Sequence, residues 1–121
     1  KISPIPGPSA LLAALVMSGQ RMDEFTYLGF LPLKKGRQTL LKTLAISLET
    51  TPRTIVIYES PHRLLRTLTD LQTYLGDRNI SICREITKIY EEALRGKISE
   101  MLIHFSKIKP RGEFVLVLGD R

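Results

Sequence analysis

The sequence has little cysteine, no tryptophan and no long apolar run. Cys83 is the one cysteine among 121 residues, so no internal disulfide can form and we expect a reducing, cytoplasmic compartment. No eighteen consecutive residues are apolar, which predicts a protein without a membrane-spanning helix. Walker, G-x-G-x-x-G, G-x-S-x-G and zinc-type Cys/His patterns are also missing. We therefore expect neither NTP hydrolysis nor a bound metal.

The charge balance is basic. Eighteen Lys and Arg stand against twelve Asp and Glu, a net charge of +6, which favours an anionic partner such as RNA or DNA. The four Tyr and four Phe lie mostly in apolar runs, so a basic surface with interleaved aromatic residues is not indicated. With 43% apolar residues, the chain is long enough for a single domain over residues 1–121. It begins at Lys1 without a signal-peptide pattern, and we expect a piece of a longer protein or a processed one.

Strand-like and helix-like patterns alternate along the chain. Short apolar runs predict five strands, at residues 25–31, 53–58, 79–85, 92–97 and 113–118. Helical spacing of apolar residues predicts four helices, at residues 10–17, at residues 38–48, after a Ser60 cap and after a Ser99 cap. This alternation predicts an α/β fold with a mixed sheet of about five strands flanked by helices.

The first predicted helix is apolar on nearly every face. Residues 10–17 read ALLAALVM, with Ser9 before them as an N-cap and Gly19 after them as a stop. A helix of this composition is typical of a buried position. We therefore expect the sheet to cover one side of it and another domain or subunit to cover the other.

A polar turn follows the strand that ends at Glu59. Ser60, Pro61, His62 and Arg63 come directly after it, with Ser60 as a predicted N-cap and Pro61 at the first helical position. Loops at the carboxyl ends of strands line the ligand crevice of open α/β sheets. The sequence therefore predicts a functional site here, in which His62 either carries a proton near neutral pH or only hydrogen-bonds within the first turn.

Three further segments combine polar groups with a turn or a helix start. In residues 5–9, Gly7 lets backbone approach a ligand closely, although the segment also suits a rigid connector. Residues 34–37 read KKGR and suit phosphate contacts, or form a solvated basic loop. Glu85 at the end of the third strand and Lys88 after it either pair as a base and a cation in a cleft or belong to an exposed ladder of ion pairs.

Five sequence blocks carry a resemblance to a known family. They are PIPGPSA at 4–10, GFLP at 29–32, YESPHR at 58–63, REITK at 84–88 and RGEFVLV at 111–117. In this order and spacing they resemble the C-terminal half of the ribosomal RNA small subunit methyltransferase I family, in the tetrapyrrole methylase superfamily, and the resemblance covers essentially the whole chain. It implies a two-lobed α/β enzyme, usually a homodimer, that transfers a methyl group from S-adenosylmethionine to the 2′-hydroxyl of a cytidine in the 16S rRNA of the small ribosomal subunit. The family's N-terminal lobe has no counterpart in this sequence, so we expect this chain, as the C-terminal lobe, to be inactive alone.

The resemblance also implies roles for individual residues. The cofactor is expected to lie against three turns, formed by Pro6, Gly7, Pro8 and Ser9, by Tyr58, Ser60 and Pro61, and by Gly112 and Glu113. Methyl transfer to a hydroxyl needs a positioned substrate and a proton acceptor, for which the candidates are Glu59, His62, Glu85 and Lys88. The phosphates of the rRNA are expected to contact Lys34, Lys35, Arg37 and Arg63.

Two other interpretations fit the same sequence. One is a lobe of a methylase that acts on a tetrapyrrole precursor, and the other is a non-catalytic module for dimerisation or RNA binding. The basic charge balance and the resemblance of all five blocks favour the rRNA enzyme.

Overall fold

A computed structural model describes residues 2–4, 7–85, 88–89 and 91–120. Within these residues lie four helices, α1 (Ala10–Ser18), α2 (Arg37–Thr50), α3 (Leu64–Leu75) and α4 (Ile98–Lys107). Five strands alternate with them, β1 (Phe25–Phe30), β2 (Thr54–Glu59), β3 (Asn79–Arg84), β4 (Glu92–Lys97) and β5 (Phe114–Leu118). The predicted α/β fold with five strands and four helices is confirmed.

The strands form one mixed sheet in the order β1-β2-β5-β3-β4. β1 and β2 are parallel, and the other neighbouring strands are antiparallel. Glu59 of β2 pairs with Phe114 of β5. Arg84 of β3 pairs with the same Phe114 and with Glu92 of β4. The carboxyl ends of β1, β2 and β3 therefore meet the amino ends of β4 and β5 at one edge of the sheet, which we call the carboxyl edge.

Helices α2, α3 and α4 bury the larger part of the core against one face of the sheet. The leucine stripe of α3 is at most 1% exposed, as its spacing predicts, at Leu64, Leu68, Leu71 and Leu75. It belongs to a cluster that includes Ile57 of β2 and Leu116 of β5. Burying one such side chain stabilises the fold by about 1.5–3 kcal/mol. No described helix is long and apolar enough to cross a membrane.

Helix α1 lies on the other face of the sheet and is covered on one side. Ala14 and Leu15 are buried in a cluster with Val56, Cys83, Val115 and Val117. On its outward side Leu12 is 55% exposed and Val16 is 72% exposed. The sheet therefore covers one side of α1 as predicted, and the described residues leave the outward side open.

The start of α1 agrees with its predicted serine cap, and the start of α3 does not. The Ser9 hydroxyl accepts the N–H of Leu12 at 3.4 Å and caps α1 as predicted. The predicted Ser60 cap of α3 is wrong, because α3 begins four residues later at Leu64. The N–H of Ser60 donates instead to the carboxylate of Glu59 at 2.8 Å, and this bond holds Ser60 in the turn that precedes the helix.

The predicted Ser99 cap of α4 is also wrong. The helix already begins at Ile98, and Ser99 donates both its N–H and its hydroxyl to the carboxylate of Asp77, at 2.9 and 2.7 Å. The Glu100 carboxylate accepts the N–H of Lys97 at 2.9 Å. Ser99 therefore lies in the first turn as a donor to an acid of the preceding loop, and does not act as an N-cap acceptor.

Candidate functional site

A cleft of about 270 Å³ opens at the carboxyl edge, between β2, β5 and the start of α1. Its lining combines three predicted site residues, Tyr58, Glu59 and Glu113, with the apolar Ala10, Phe30, Phe114 and Val115. Ligand pockets have mostly apolar walls with a few polar groups, and volumes of roughly 300–1,000 Å³. The cleft has that composition and lies just below that range of volume, so it suits one part of an organic ligand.

A cluster of three aromatic rings lies on the β1 side of the cleft, and two of them, Phe30 and Tyr58, line it. The ring of Tyr58 meets Tyr27 at 5.2 Å and Phe30 at 5.9 Å, both edge to face. A register shift between Tyr27 and Gly29 brings Phe30 beside Tyr58. Burial, with a smaller contribution from Tyr27, raises the pKa of Tyr58 above its ordinary value. The phenol therefore stays protonated near neutral pH and can donate a hydrogen bond.

Glu59 is buried at the floor of the cleft and its carboxylate is fully engaged. The side chain is 3% exposed. Oε1 accepts the N–H of Ser60 at 2.8 Å and lies 3.5 Å from Nε of Arg63. Oε2 accepts the hydroxyl of Thr67 at 2.5 Å. Both carboxylate oxygens are therefore occupied by donors from the protein itself, so Glu59 is better suited to shaping the turn than to accepting a proton from a substrate.

Arg37 lies inside the protein, and its predicted place among the surface cations of the basic loop does not hold. It is 4% exposed. Its guanidinium donates to the carboxylate of Asp70 at 2.8 Å, to the hydroxyl of Thr67 at 3.0 Å and to the carbonyl of Pro32 at 3.0 Å. Through Thr67 it is joined to Glu59. Arg37 therefore connects the end of β2 with the loop that follows β1.

The other predicted phosphate-binding cations are at the surface. Lys34 and Lys35 are exposed on the loop between β1 and α2. The side chain of Arg63 is 37% exposed. These three cations belong to the loops that follow β1 and β2, at the β1 end of the carboxyl edge.

The predicted pair of Glu85 and Lys88 forms beside the cleft. Nζ of Lys88 lies 2.9 Å from Oε2 of Glu85 and 3.9 Å from Oε2 of Glu113. The hydrogen bond between the two side chains lowers the pKa of Glu85 and raises the pKa of Lys88. Near neutral pH Glu85 is therefore ionised and Lys88 is protonated, which removes Lys88 as a proton acceptor.

Gly112 packs directly against Glu85. Its φ is +87°, and a Cβ built on it would lie 2.1 Å from Oε1 of Glu85 and 2.8 Å from Cδ. Glu85 itself has a φ of 50°, which is uncommon for a residue other than glycine. The backbone N–H of Glu85 donates to the carbonyl of Glu113 at 3.2 Å. The turns after β3 and before β5 are thus tightly fitted to each other.

We expect Gly112→Ala to lower the free energy of unfolding by roughly 2–3 kcal/mol, from backbone strain and displacement of the Glu85 carboxylate. Gly36→Ala is the matched control, because Gly36 has a φ of +84° but nothing within 4 Å of a built Cβ. It should cost roughly 1 kcal/mol, from strain alone. Urea unfolding of the two variants measures the difference, and equal costs would show that the contact with Glu85 is not restrictive.

The remaining predicted residues lie around the cleft or away from it. His62 and Pro61 are in the turn before α3, with His62 exposed and Pro61 half-buried. Gly7 and Ser9 line a separate open groove of about 430 Å³ along the outward side of α1. Pro8 lies between them and is exposed. Pro6 is outside the described residues.

The structure adds residues that the sequence analysis did not find. Phe30 looks like a core residue in the sequence, but it is 61% exposed, and only the meeting of β1, β2 and β5 at one edge shows that it lines a cleft. Phe114 is buried in the core, as its sequence context suggests. Thr67 and Asp70 lie in the middle of an ordinary amphipathic helix, so no local signal indicated their bonds to Arg37. In the part of the chain that the structure describes, no three His, Cys, Asp or Glu side chains come together as a metal site requires.

Comparison with known proteins identifies a matching family and similar sequences. The sequence profile of the Tetrapyrrole (Corrin/Porphyrin) Methylases matches residues 1–102. A protein of Synechocystis sp. named ribosomal RNA small subunit methyltransferase I is 48% identical over 121 residues, which are 98% of this chain and 42% of that protein. The chain thus spans less than half the length of this curated relative.

Solved structures show the same fold at lower identity. The crystal structure of the methyltransferase CobJ aligns with a TM-score of 0.67 and 20% identity, over 95% of this chain and 49% of that one. Uroporphyrin-III C-methyl transferase from Thermus thermophilus, complexed with S-adenyl homocysteine, aligns with a TM-score of 0.57 and 20% identity, over 95% and 51% of the two chains. In both cases this chain corresponds to about half of the solved protein.

Proposed function

Since the chain belongs to the tetrapyrrole (corrin/porphyrin) methylase family, we propose that it is the C-terminal half of an enzyme that methylates ribosomal RNA. The reaction is transfer of a methyl group from S-adenosylmethionine to the 2′-hydroxyl of a cytidine in 16S rRNA, in the cytoplasm. The observation that carries this proposal is the 48% identity, over 98% of the chain, with a ribosomal RNA small subunit methyltransferase I. The cleft at the carboxyl edge is the site that we assign to the cofactor.

The residues of the cleft fit this cofactor. Phe30, which is 61% exposed, supplies apolar surface for an adenosine. The protonated phenol of Tyr58 can donate a hydrogen bond, and the side chain of Glu113 is 89% exposed, free to accept hydrogen bonds from hydroxyl groups. When bound, S-adenosylmethionine supplies an electrophilic methyl group on a sulfonium. The tight fit of Gly112 against Glu85 fixes the position of the neighbouring Glu113.

The substrate hydroxyl must lose its proton as its oxygen bonds to the methyl carbon, and four residues were predicted as acceptors. Lys88 is protonated, and the carboxylate of Glu59 is already engaged by three donors. Glu85 is ionised but paired with Lys88, and its lowered pKa makes it a weak base. His62 is exposed in the turn after β2, and imidazole is the side chain most often used for this task. We therefore assign proton acceptance to His62.

The proposal is tested by following a labelled methyl group. The complete protein is incubated with S-adenosylmethionine labelled in its methyl group and with small ribosomal subunits whose 16S rRNA lacks the 2′-O-methyl group. We expect label in the 16S rRNA. A parallel reaction with a tetrapyrrole precursor tests the competing function of the family, and label in that product but not in RNA would overturn the proposal.

The outward side of α1 is the surface that we assign to a homodimer. Leu12 and Val16 are exposed there, and Met17 lines the open groove beside them. Exposed apolar surface of this kind marks interaction sites. The sequence predicted another domain or subunit as the second cover of this helix, and we assign that cover to a second copy of the protein. Within the dimer this surface would be buried.

We expect Val16→Lys to convert the complete protein from a dimer to a monomer, because it would bury a charge in an apolar interface. Ile46→Lys is the matched control, since Ile46 is 69% exposed on α2, away from the proposed interface. Sedimentation equilibrium measures both masses. If Val16→Lys remains a dimer, the outward side of α1 is not the dimer interface and another partner covers it.

A further inference from the structure

A second cleft, of about 450 Å³, lies at the carboxyl edge between α4 and strands β3 and β4. Four side chains that can carry positive charge line it, Arg84, His104, Lys109 and Arg111, and we therefore call it the cationic cleft. Glu92 is the one acid in the lining, and the floor includes the apolar Leu94 and Phe105. None of these residues was predicted as part of a site.

The cationic cleft is built onto the same edge as the cofactor cleft. Arg84 ends β3 and pairs with Phe114 of β5, which in turn pairs with Glu59 of β2. Neighbouring strands are about 4.8 Å apart, so Arg84 lies about 10 Å from Glu59 along the edge. Arg111 is next to Gly112, and its carbonyl accepts a hydrogen bond from the guanidinium of Arg84 at 3.4 Å.

The positive charge of the cationic cleft is only partly offset within the described chain, by Glu92, which pairs with Arg84 across β3 and β4, and by Glu85, which interacts electrostatically with Arg84. Among the described residues, no carboxylate lies within 4 Å of the charged groups of Arg84, Lys109 or Arg111. Lys109 and Arg111 are exposed, and Arg84 and His104 are half-buried. Several unpaired cations that line one concave surface raise the local potential and attract an anionic ligand.

We propose that the cationic cleft binds the phosphate backbone of the RNA substrate, on the far side of the cofactor cleft from Lys34 and Lys35. This inference rests on the proposed function, because it takes RNA as the substrate. The loop that carries Lys34 and Lys35 follows β1, at one end of the strand order, and the cationic cleft lies at β3 and β4, at the other end. Along the strand order the cofactor cleft lies between them, at β2 and β5; it opens beside α1 on one face of the sheet, and the cationic cleft opens beside α4 on the other, so the RNA would pass over the carboxyl edge.

Two cationic surfaces on either side of the reaction site would hold an RNA strand across it. Four strand spacings separate β1 from β4, about 19 Å, which is long enough for several nucleotides. The apolar floor beside the cations suits a nucleoside attached to the phosphate better than a bare inorganic ion. With both flanks fixed, the hydroxyl of the intervening nucleotide is presented to the cofactor cleft.

The test is RNA binding by the complete protein with two cations of the cleft removed. The double variant Lys109→Gln with Arg111→Gln is compared with a control pair of the same residue types, Arg53→Gln with Lys97→Gln. Arg53 lies just before β2 and Lys97 ends β4, both at the end of the sheet opposite the carboxyl edge. Fluorescence anisotropy with a labelled single-stranded fragment of 16S rRNA is measured between 50 and 200 mM salt. We expect the slope of log K against log salt to become shallower by about 1.4, because each lost phosphate contact on a single strand removes about 0.7.

The control pair should keep the wild-type slope, and thermal unfolding should show that both variants are folded. Equal slopes in the cleft variant, the control pair and the wild type would show that the cationic cleft does not bind the RNA, and would leave the proposed function intact. Failure of the wild-type protein to bind the RNA at any salt concentration would overturn both. Titration with S-adenosylmethionine separates the two sites, since the cleft variant should bind the cofactor as the wild type does.

Discussion

Replacing Arg37 by methionine should lower the free energy of unfolding by about 3 kcal/mol. Arg37 is 4% exposed and its guanidinium donates to the carboxylate of Asp70, the hydroxyl of Thr67 and the carbonyl of Pro32. Methionine has a similar length but no donor, so the substitution leaves these acceptors without their buried partner. The effect should reach Glu59 as well, because Thr67 donates to its carboxylate.

Arg66→Met is the control for this prediction. Arg66 lies 4.0 Å from the same carboxylate of Asp70, but its side chain is 52% exposed. An exposed ion pair contributes about 0–1 kcal/mol, so this variant should unfold within about 1 kcal/mol of the wild type. Urea unfolding measures both. A cost for Arg37→Met no larger than that for Arg66→Met would show that the buried network does not stabilise the carboxyl edge.

His62→Ala should lower kcat by about 10²–10⁴-fold in the complete enzyme, the range expected for loss of a general base. The affinity for S-adenosylmethionine should be unchanged, because His62 is not among the residues that line the cofactor cleft. Glu85→Gln is the competing variant, since the Glu85 carboxylate is ionised near neutral pH and lies beside the cofactor cleft.

Single-turnover methylation at saturating cofactor and RNA measures the chemical step for the two variants. We expect Glu85→Gln to change the rate by less than tenfold, since the carboxylate is held by Lys88 rather than presented to a substrate. A large loss in Glu85→Gln with a small one in His62→Ala would transfer the role of proton acceptor to Glu85.

The fold could be predicted from the sequence because its signals are local. The period of the α3 leucines and the apolar runs of the strands identify the elements, and the structure confirms their type and order. The placement of the site after β2 also follows from a local signal, a polar turn at the end of a buried strand. Tyr58, Glu59 and Glu113 do line one cleft.

What could not be predicted depends on contacts between distant segments. Arg37 stands in a basic stretch with Lys34 and Lys35, and its burial depends on Thr67 and Asp70, which lie 30 and 33 residues further on. Ser60 is a residue type typical of helix caps, but α3 begins only at Leu64, and Ser60 lies in the preceding turn with its N–H bonded to the Glu59 carboxylate. The local sequence pattern indicates what a side chain could do. Which partner it contacts is decided by the packing of the sheet and helices.

The most direct test of the proposed function is the chemical identity of the methylated nucleoside. Small ribosomal subunits that lack the mark are treated with the complete protein and S-adenosylmethionine, and the 16S rRNA is digested to nucleosides for mass spectrometry. Primer extension on the same RNA then locates the modified position. We expect 2′-O-methylcytidine at one position. A methyl group on a base, or no new methylated nucleoside in the 16S rRNA, would contradict the proposed function.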